Sequence, residues 1–288
     1  MASAVEWQQR AEARVGSTDA RGFRGGELGT PCRFWIDSYL PQRIARLRRP
    51  TPMRVLDLGC HDGLYLEAVR AAGVVGEYVG IDIAPSPRWT EHDLGGPLRA
   101  EFRVHDAHAV ADLAPRGFDL ILSITTMEHF EDDKKVLAGV VEQLNPGGQL
   151  ILIVPSQYSV ALLWSHGYRR YELDETKRLL ERLGLDVLET HAVGGIPSFL
   201  LHASWFNGSQ AVVLFGKAAL RVMAGFNKTR AKRLFGGLDD KLGGAMLYHQ
   251  RFAAGRAAHS ALNRTAARLD EQLPGLPALY AFVAERSA

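Results

Sequence analysis

Between Met53 and Val154, short runs of nearly uninterrupted apolar residues alternate with segments of helical spacing. This alternation constrains the fold more than any other feature of the chain. The runs are Met53–Leu58, Tyr78–Ile83, Ala100–Val104, Phe118–Ser123 and Gln149–Val154. Helical spacing occupies Leu64–Ala72, Ala107–Leu113 and Asp132–Leu144, where Val136, Val140, Val141 and Leu144 share one face. A strand that is apolar throughout must be covered on both faces, as in a parallel sheet flanked by helices. Asn145-Pro-Gly-Gly148 stops the helix before the fifth run. Further on, Asp174–Leu183 predicts a helix ended by Gly184, Leu185–Thr190 a sixth strand, and Leu279–Val283 a seventh. The expectation is an α/β fold with a doubly wound, mostly parallel sheet of seven strands.

Four regions follow from these boundaries. Residues 1–50 form a lead-in whose short aromatic helix, around Phe34, Trp35 and Tyr39, is expected to act as a lid and to stop before Pro50 and Pro52. Residues 51–195 are the α/β core, 196–275 a helical insertion containing Ser209–Phe226 and Arg256–Leu273, and 276–288 the last strand of the core. Charge is distributed unevenly among them. Between Ile196 and Arg264 ten Lys and Arg face only Asp239 and Asp240, a net +8 in a chain of net +2. Within 209–233 the apolar run Ala211–Phe215 adjoins Lys217, Arg221, Lys228 and Arg230. A basic, amphipathic helix of this kind suits an anionic or lipid-like partner or peripheral contact with a membrane surface. No nucleic-acid-binding module accompanies the charge, so nucleic acid is not the expected partner. A substrate lid or a dimer contact would use the same residues, and nothing in the sequence sets the oligomeric state. Cys32 and Cys60 cannot form a disulfide framework, and Met1–Arg14 lacks an apolar signal core. No run of about 18 apolar residues occurs, so a cytoplasmic location is expected.

The stretch Val55-Leu-Asp-Leu-Gly-Cys-His-Asp-Gly-Leu64 carries most of the functional information. A strand runs into a turn holding Gly59 and Gly63, and a helix begins at once. In doubly wound sheets ligands bind outside the carboxyl ends of the strands, where this turn meets the helix. Glycine at 59 lets backbone approach a ligand where a Cβ would clash. Asp57 can receive a ligand's ammonium or order the turn. Asp82, ending the second strand, can accept from both hydroxyls of a ribose, and Asp106, after the third, from an adenine amino group. A nicotinamide-binding G-x-G-x-x-G would need glycine at 61 and 64, where the chain has His61 and Leu64.

Together these residues resemble the class I S-adenosylmethionine-dependent methyltransferases, whose fold is Rossmann-like. The resemblance spans about residues 50–195 and the last strand. It includes Phe118-Asp-Leu-Ile-Leu with Met127-Glu-His-Phe130, and Leu144-Asn-Pro-Gly-Gly-Gln-Leu-Ile-Leu. It implies S-adenosyl-L-methionine as cofactor, with the methionine part at Asp57 and the glycine turn, the ribose at Asp82 and adenine at Asp106. The implied contact set is Asp57, Gly59, Cys60, His61, Gly63, Asp82, Ile83, Asp106, Ala107 and Ser123. One departure stands out: the family usually has glycine where this chain has His61, which bears on the geometry of the turn.

Methyl transfer is a displacement at a sulfonium, so the protein must position the acceptor, exclude water and remove any proton the acceptor carries. Glu128 and His129, just after the fourth strand, are the candidate bases, with His129 the first choice. Two ligands are too few for a metal, and none is expected. Trp35, Tyr39, Trp164, His166 and Tyr168 are the candidate substrate contacts. The expected activity is methyl transfer to oxygen, nitrogen or carbon of a small or medium-sized organic acceptor. Two other uses of the fold stay open: a cyclisation or rearrangement that uses the bound sulfonium without transfer, and a non-catalytic protein that docks on membranes.

Overall fold

The computed structural model describes residues 29–47, 52–162, 167–207 and 253–287, with 215, 219 and 222 as single helical positions. Seven strands form one sheet: β1 (Met53–Leu58), β2 (Gly76–Asp82), β3 (Leu98–Val104), β4 (Phe118–Ile124), β5 (Leu144–Pro155), β6 (Leu185–Val193) and β7 (Leu279–Arg286). Their spatial order is β3-β2-β1-β4-β5-β7-β6. Strands β1 to β5 pair in parallel, whereas β7 runs antiparallel to both β5 and β6. Helices α1 (Pro31–Ala45), α2 (Leu66–Ala71), α3 (Asp133–Gln143) and α4 (Leu173–Arg182) accompany the sheet, and α5 (Ile196–Leu201) and α6 (Ala253–Asp270) lie in the long excursion before β7.

Burial explains the order. The side chains of β4 and β7 are buried for most of their length, as interior strands covered on both faces require. Strand β6 instead alternates between exposed and half-buried positions, the pattern of an edge strand with one wet face. The core joins Leu56, Ile81, Ile121, Val136, Val140, Leu152 and Phe282, so the expected apolar runs and the α3 face meet in one cluster.

Two expectations change in detail. Asn145-Pro-Gly-Gly148 belongs to an irregular start of β5, where Phe118 pairs with Leu144 but Leu120 already pairs with Gln149. Asp119 fills the gap, accepting from Asn145 Nδ2 at 2.7 Å and from the Arg54 backbone N–H at 2.8 Å. Residues 107–112 make a 3-10 turn with non-helical geometry at Ala109 rather than an α-helix. The last strand completes the sheet by inserting between β5 and β6, where Ala278 N–H reaches Val193 O at 3.0 Å.

The described chain forms two compact units. Residues 37–193 and 277–287 make the sheet unit, and 29–36, 194–207 and 253–276 belong to the second. The start of α1 is thus grouped with the excursion and not with a separate lead-in. Within the second unit Asp270 binds the Ser198 backbone N–H at 3.0 Å, and Asn263 and His259 reach Gly29 O at 2.9 and 3.1 Å. The basic stretch 209–233 lies outside the described residues except for Phe215, Ala219 and Val222, which are helical and exposed. Among the described residues no helix is long and apolar enough to cross a membrane.

Phe282 sits in the middle of β7 with no exposure. Phe282→Ala is expected to remove about 3–5 kcal/mol of stability, read as a lower urea midpoint with unchanged slope.

Candidate functional site

Strand order reverses at the β1–β4 pair, which places the ligand crevice above the carboxyl ends of these two strands. The glycine turn fills one side. Gly59 has φ +70°, and a Cβ there would collide with Thr126 Cγ2 in the loop after β4. Gly63 has φ +78°, and a Cβ there would lie 2.5 Å from Phe102 Cζ. The N–H groups of Gly59 and Cys60 both donate to Ile81 O, at 2.9 and 3.0 Å, tying the turn to β2. His61 adopts φ +49°, the left-handed conformation that glycine takes without strain. In this conformation its N–H donates to Asp82 Oδ2 at 2.9 Å, while Ala84 N–H donates to Oδ1 at 3.3 Å. The Cys60 thiol is buried and its pKa is pushed far up, first by burial and then by the Asp57 and Asp82 charges, so it is unreactive.

Asp57 is buried at the end of β1 and accepts a hydrogen bond from the Tyr78 hydroxyl on β2. Burial raises its pKa to about 7; the Tyr78 bond pulls it down and the Asp82 charge pushes it up. Sequence reasoning took Tyr78 as core. The available signal was a tyrosine in an otherwise apolar buried strand, whose hydroxyl must find a partner.

Asp106 is exposed and N-caps the 3-10 turn, accepting from the His108 backbone N–H at 2.9 Å and lying 3.0 Å from its Nδ1. These bonds, led by the backbone one, hold its pKa down. Asp82 and Asp106 end neighbouring strands, since Asp82 pairs with Val104 and His105 N–H reaches Asp82 O at 2.9 Å. Beside them Ile83 is 73% exposed, whereas Ala107 is buried. An open apolar side chain between two acceptor carboxylates suits a nucleoside, which presents hydroxyl and amino donors and a flat apolar face. Ser123, ending β4, is fully buried, and its Oγ has no partner among the described residues. The donor set therefore fits the cofactor implied by the sequence.

On the other side of the crevice the Met127–His129 turn follows Thr126. Here the two candidate bases stand in different surroundings. His129 is exposed, while Glu128 is 1% exposed with Oε2 unpartnered among the described residues. Burial raises the Glu128 pKa to about 7 against the opposing effects of a backbone hydrogen bond and the Arg170 charge. What buries it is a segment some 40 residues away in sequence. Tyr168 N–H donates to Glu128 O at 2.7 Å, and a Cβ on Gly167 would come within 2.8 Å of Glu128 Cγ. That segment is anchored at Asp133, which accepts from Tyr171 at 2.8 Å and pairs with Arg169. The Tyr168 side chain is 71% exposed beside this cover.

Four candidate substrate contacts remain. Tyr39 bonds Glu189 Oε2 at 3.1 Å and packs edge-on against His191 at 5.0 Å. Glu189 lies on β6, four strands from β1, a span of about 19 Å at the usual strand spacing. The expected substrate role of Tyr39 is therefore corrected to anchoring α1 on the edge of the sheet. Trp35 is half-buried on α1 in the second unit. Trp164 and His166 lie outside the described residues. Among the described residues no cluster of three or more metal-ligating side chains occurs.

A family model described as a methyltransferase domain matches residues 33–191. The ubiquinone biosynthesis O-methyltransferase of Cereibacter sphaeroides is 30% identical over 185 residues, covering 55% of this chain and 72% of the relative. The enzyme of the same name from Pseudomonas putida is 27% identical over 154 residues, covering 48% and 62%. Among solved structures, the plantazolicin methyltransferase in complex with S-adenosylhomocysteine superposes with a TM-score of 0.52 at 13% identity, over 99% of this chain and 91% of the other. That last likeness is one of fold.

Glu128 leads to a test on stability. Its folded pKa lies above the ordinary carboxylate value, so the fold disfavours the charged form. The penalty is absent in acid, sets in as pH rises past the ordinary carboxylate range, and is complete above about 7. Glu128→Gln is therefore expected to be more stable than the parent by an amount that grows between pH 5 and pH 8, to on the order of 2 kcal/mol. Denaturant titrations at both pH values measure it.

Proposed function

The chain belongs to the methyltransferase-domain family, and from that premise we propose that its acceptor is a hydroxyl on a small, apolar aromatic molecule, deprotonated by Glu128. It is a methyltransferase that uses S-adenosylmethionine on a small organic molecule. The observation that carries the acceptor reading is the buried Glu128 carboxyl, with a pKa of about 7 and a free acceptor atom beside the crevice. A base poised near the working pH is both ionised and able to take a proton. The name of the Cereibacter relative, an O-methyltransferase of ubiquinone biosynthesis, supports the same kind of acceptor.

Bound S-adenosylmethionine supplies an electrophilic methyl on a sulfonium. This chain's residues bind and orient. Asp82 accepts from the ribose hydroxyls while its His61 and Ala84 bonds fix the carboxylate plane. Asp106 keeps its cap and still has lone pairs for an amino group, because a carboxylate offers about four acceptor sites. Ile83 lies against the base, and Asp57 receives the ammonium, which favours its charged form. Ser123 Oγ is a further donor at the end of β4. The Gly167–Tyr168 cover keeps water from Glu128, and the exposed Tyr168 ring lines the acceptor's approach. A lipid-like acceptor is supported by Phe215 and Val222, exposed apolar residues in the stretch flanked by cations. Cys32 and Cys60 are buried and not joined in a disulfide, which is consistent with a reducing compartment.

Two outcomes test this reading. Asp82→Ala should weaken S-adenosylhomocysteine binding at least about tenfold, the usual effect of removing a charged acceptor; unchanged affinity in calorimetry rejects the ribose assignment. With catechols and hydroxylated quinol precursors as acceptors, followed by mass for the gain of one CH2 unit, Glu128→Gln should lower kcat by about 10²–10⁴ while the cofactor still binds. It should also abolish the acid limb of the kcat profile near pH 7. A profile that keeps this limb, or an equal loss in His129→Ala, returns the role of base to His129.

A further inference from the structure

The non-glycine residue in the glycine turn has a partner in the segment after β2. A histidine at φ +49° is strained relative to glycine, because its Cβ crowds the following carbonyl. The strain is useful only if something holds the residue there. After β2 the chain folds back over the turn as a short 3-10 segment, Pro87–Glu91. From it, Trp89 Nε1–H donates to the His61 carbonyl at 2.6 Å. The indole stacks on Phe102 with centroids 5.3 Å apart and planes within 9°, which fixes the direction of its N–H. Phe102 is also the ring over Gly63, so the same platform supports both ends of the turn. The neighbours of Trp89 hold the next residue: Ser86 Oγ donates to Asp62 Oδ1 at 2.8 Å, and His92 Nε2 donates to Asp62 O at 2.6 Å. On the other side of His61, its own N–H donates to Asp82 Oδ2.

We infer that Trp89 is a positioning residue for the cofactor site, holding His61 in the left-handed conformation that aims its N–H at the Asp82 carboxylate. Asp82 is thereby fixed for a ribose even though the turn lacks its usual glycine. Without the indole N–H, His61 relaxes toward negative φ, its peptide N–H swings away, and Asp82 loses one of its two backbone donors. A glycine at 61 has no such tendency, since it occupies positive φ without strain. The inference rests on the S-adenosylmethionine reading above.

The test is a double-mutant cycle on S-adenosylhomocysteine binding by calorimetry. Trp89→Phe keeps a ring for stacking on Phe102 but removes the donor. In the parent background it should raise Kd roughly fivefold, as for a lost hydrogen bond. Compared with His61→Gly alone, the same substitution should change Kd by less than about twofold, a coupling that packing by Trp89 would not produce. In a His61→Ala background, where the strain persists without the imidazole, the fivefold loss should return. An unchanged Kd in Trp89→Phe overturns the inference, as does an equal loss in all three backgrounds. A parent protein that binds no S-adenosylhomocysteine overturns the cofactor reading itself and this inference with it.

Discussion

The end of β1 and the loop after β4 meet so closely that no side chain fits between them. A Cβ on Gly59 would strike Thr126, and the positive φ of Gly59 lets the chain turn away from the strand at that point. The contact lies where the strand order reverses, so it sets the floor of the crevice. From it, Asp57 is carried below the turn, Asp82 comes beside the His61 N–H, and Glu128 follows two residues after Thr126. The site depends on this backbone approach as much as on any charged group.

Around that floor two carboxyls are desolvated and a third is left wet. Asp57 and Glu128 are buried, with pKa values raised to about 7 chiefly by loss of water. Asp106 is exposed and held ionised by its cap. Burial is costly for a charge without a partner, and the two buried groups differ in how they meet that cost. Asp57 has the Tyr78 hydroxyl, whereas Glu128 keeps an oxygen without a partner among the described residues. That oxygen is the one the proposed function assigns to the acceptor's proton.

Much of this was legible along the chain. The apolar runs placed the first four parallel strands to within two residues, because a strand covered on both faces is apolar throughout, whereas β5 begins five residues before its run. The strand–glycine–helix sequence and the acids after β2 and β3 marked the ligand crevice, because strand ends and turn positions are counted by local spacing. The same spacing could not rank Glu128 against His129. Adjacent residues look equivalent in sequence, and only the cover from Gly167 and Tyr168 buries one and leaves the other wet. Tyr39 misled for the opposite reason: an aromatic residue near the crevice in sequence bonds Glu189 on a distant edge strand.

The sequence by itself determined the type of layers and the identity of the turn, because these follow from periodicity and from residues a few positions apart; the character of the ligand was what the family resemblance implied. Tertiary structure alone decided that β7 enters between β5 and β6, that the Tyr78 hydroxyl bonds Asp57, that the Trp89 indole bonds the His61 carbonyl, and that Glu128 is buried where His129 is exposed. Each of these depends on groups brought together from separate elements. Burial and hydrogen-bond partnership belong to the packed neighbourhood of a side chain, and that neighbourhood does not exist until the chain has folded.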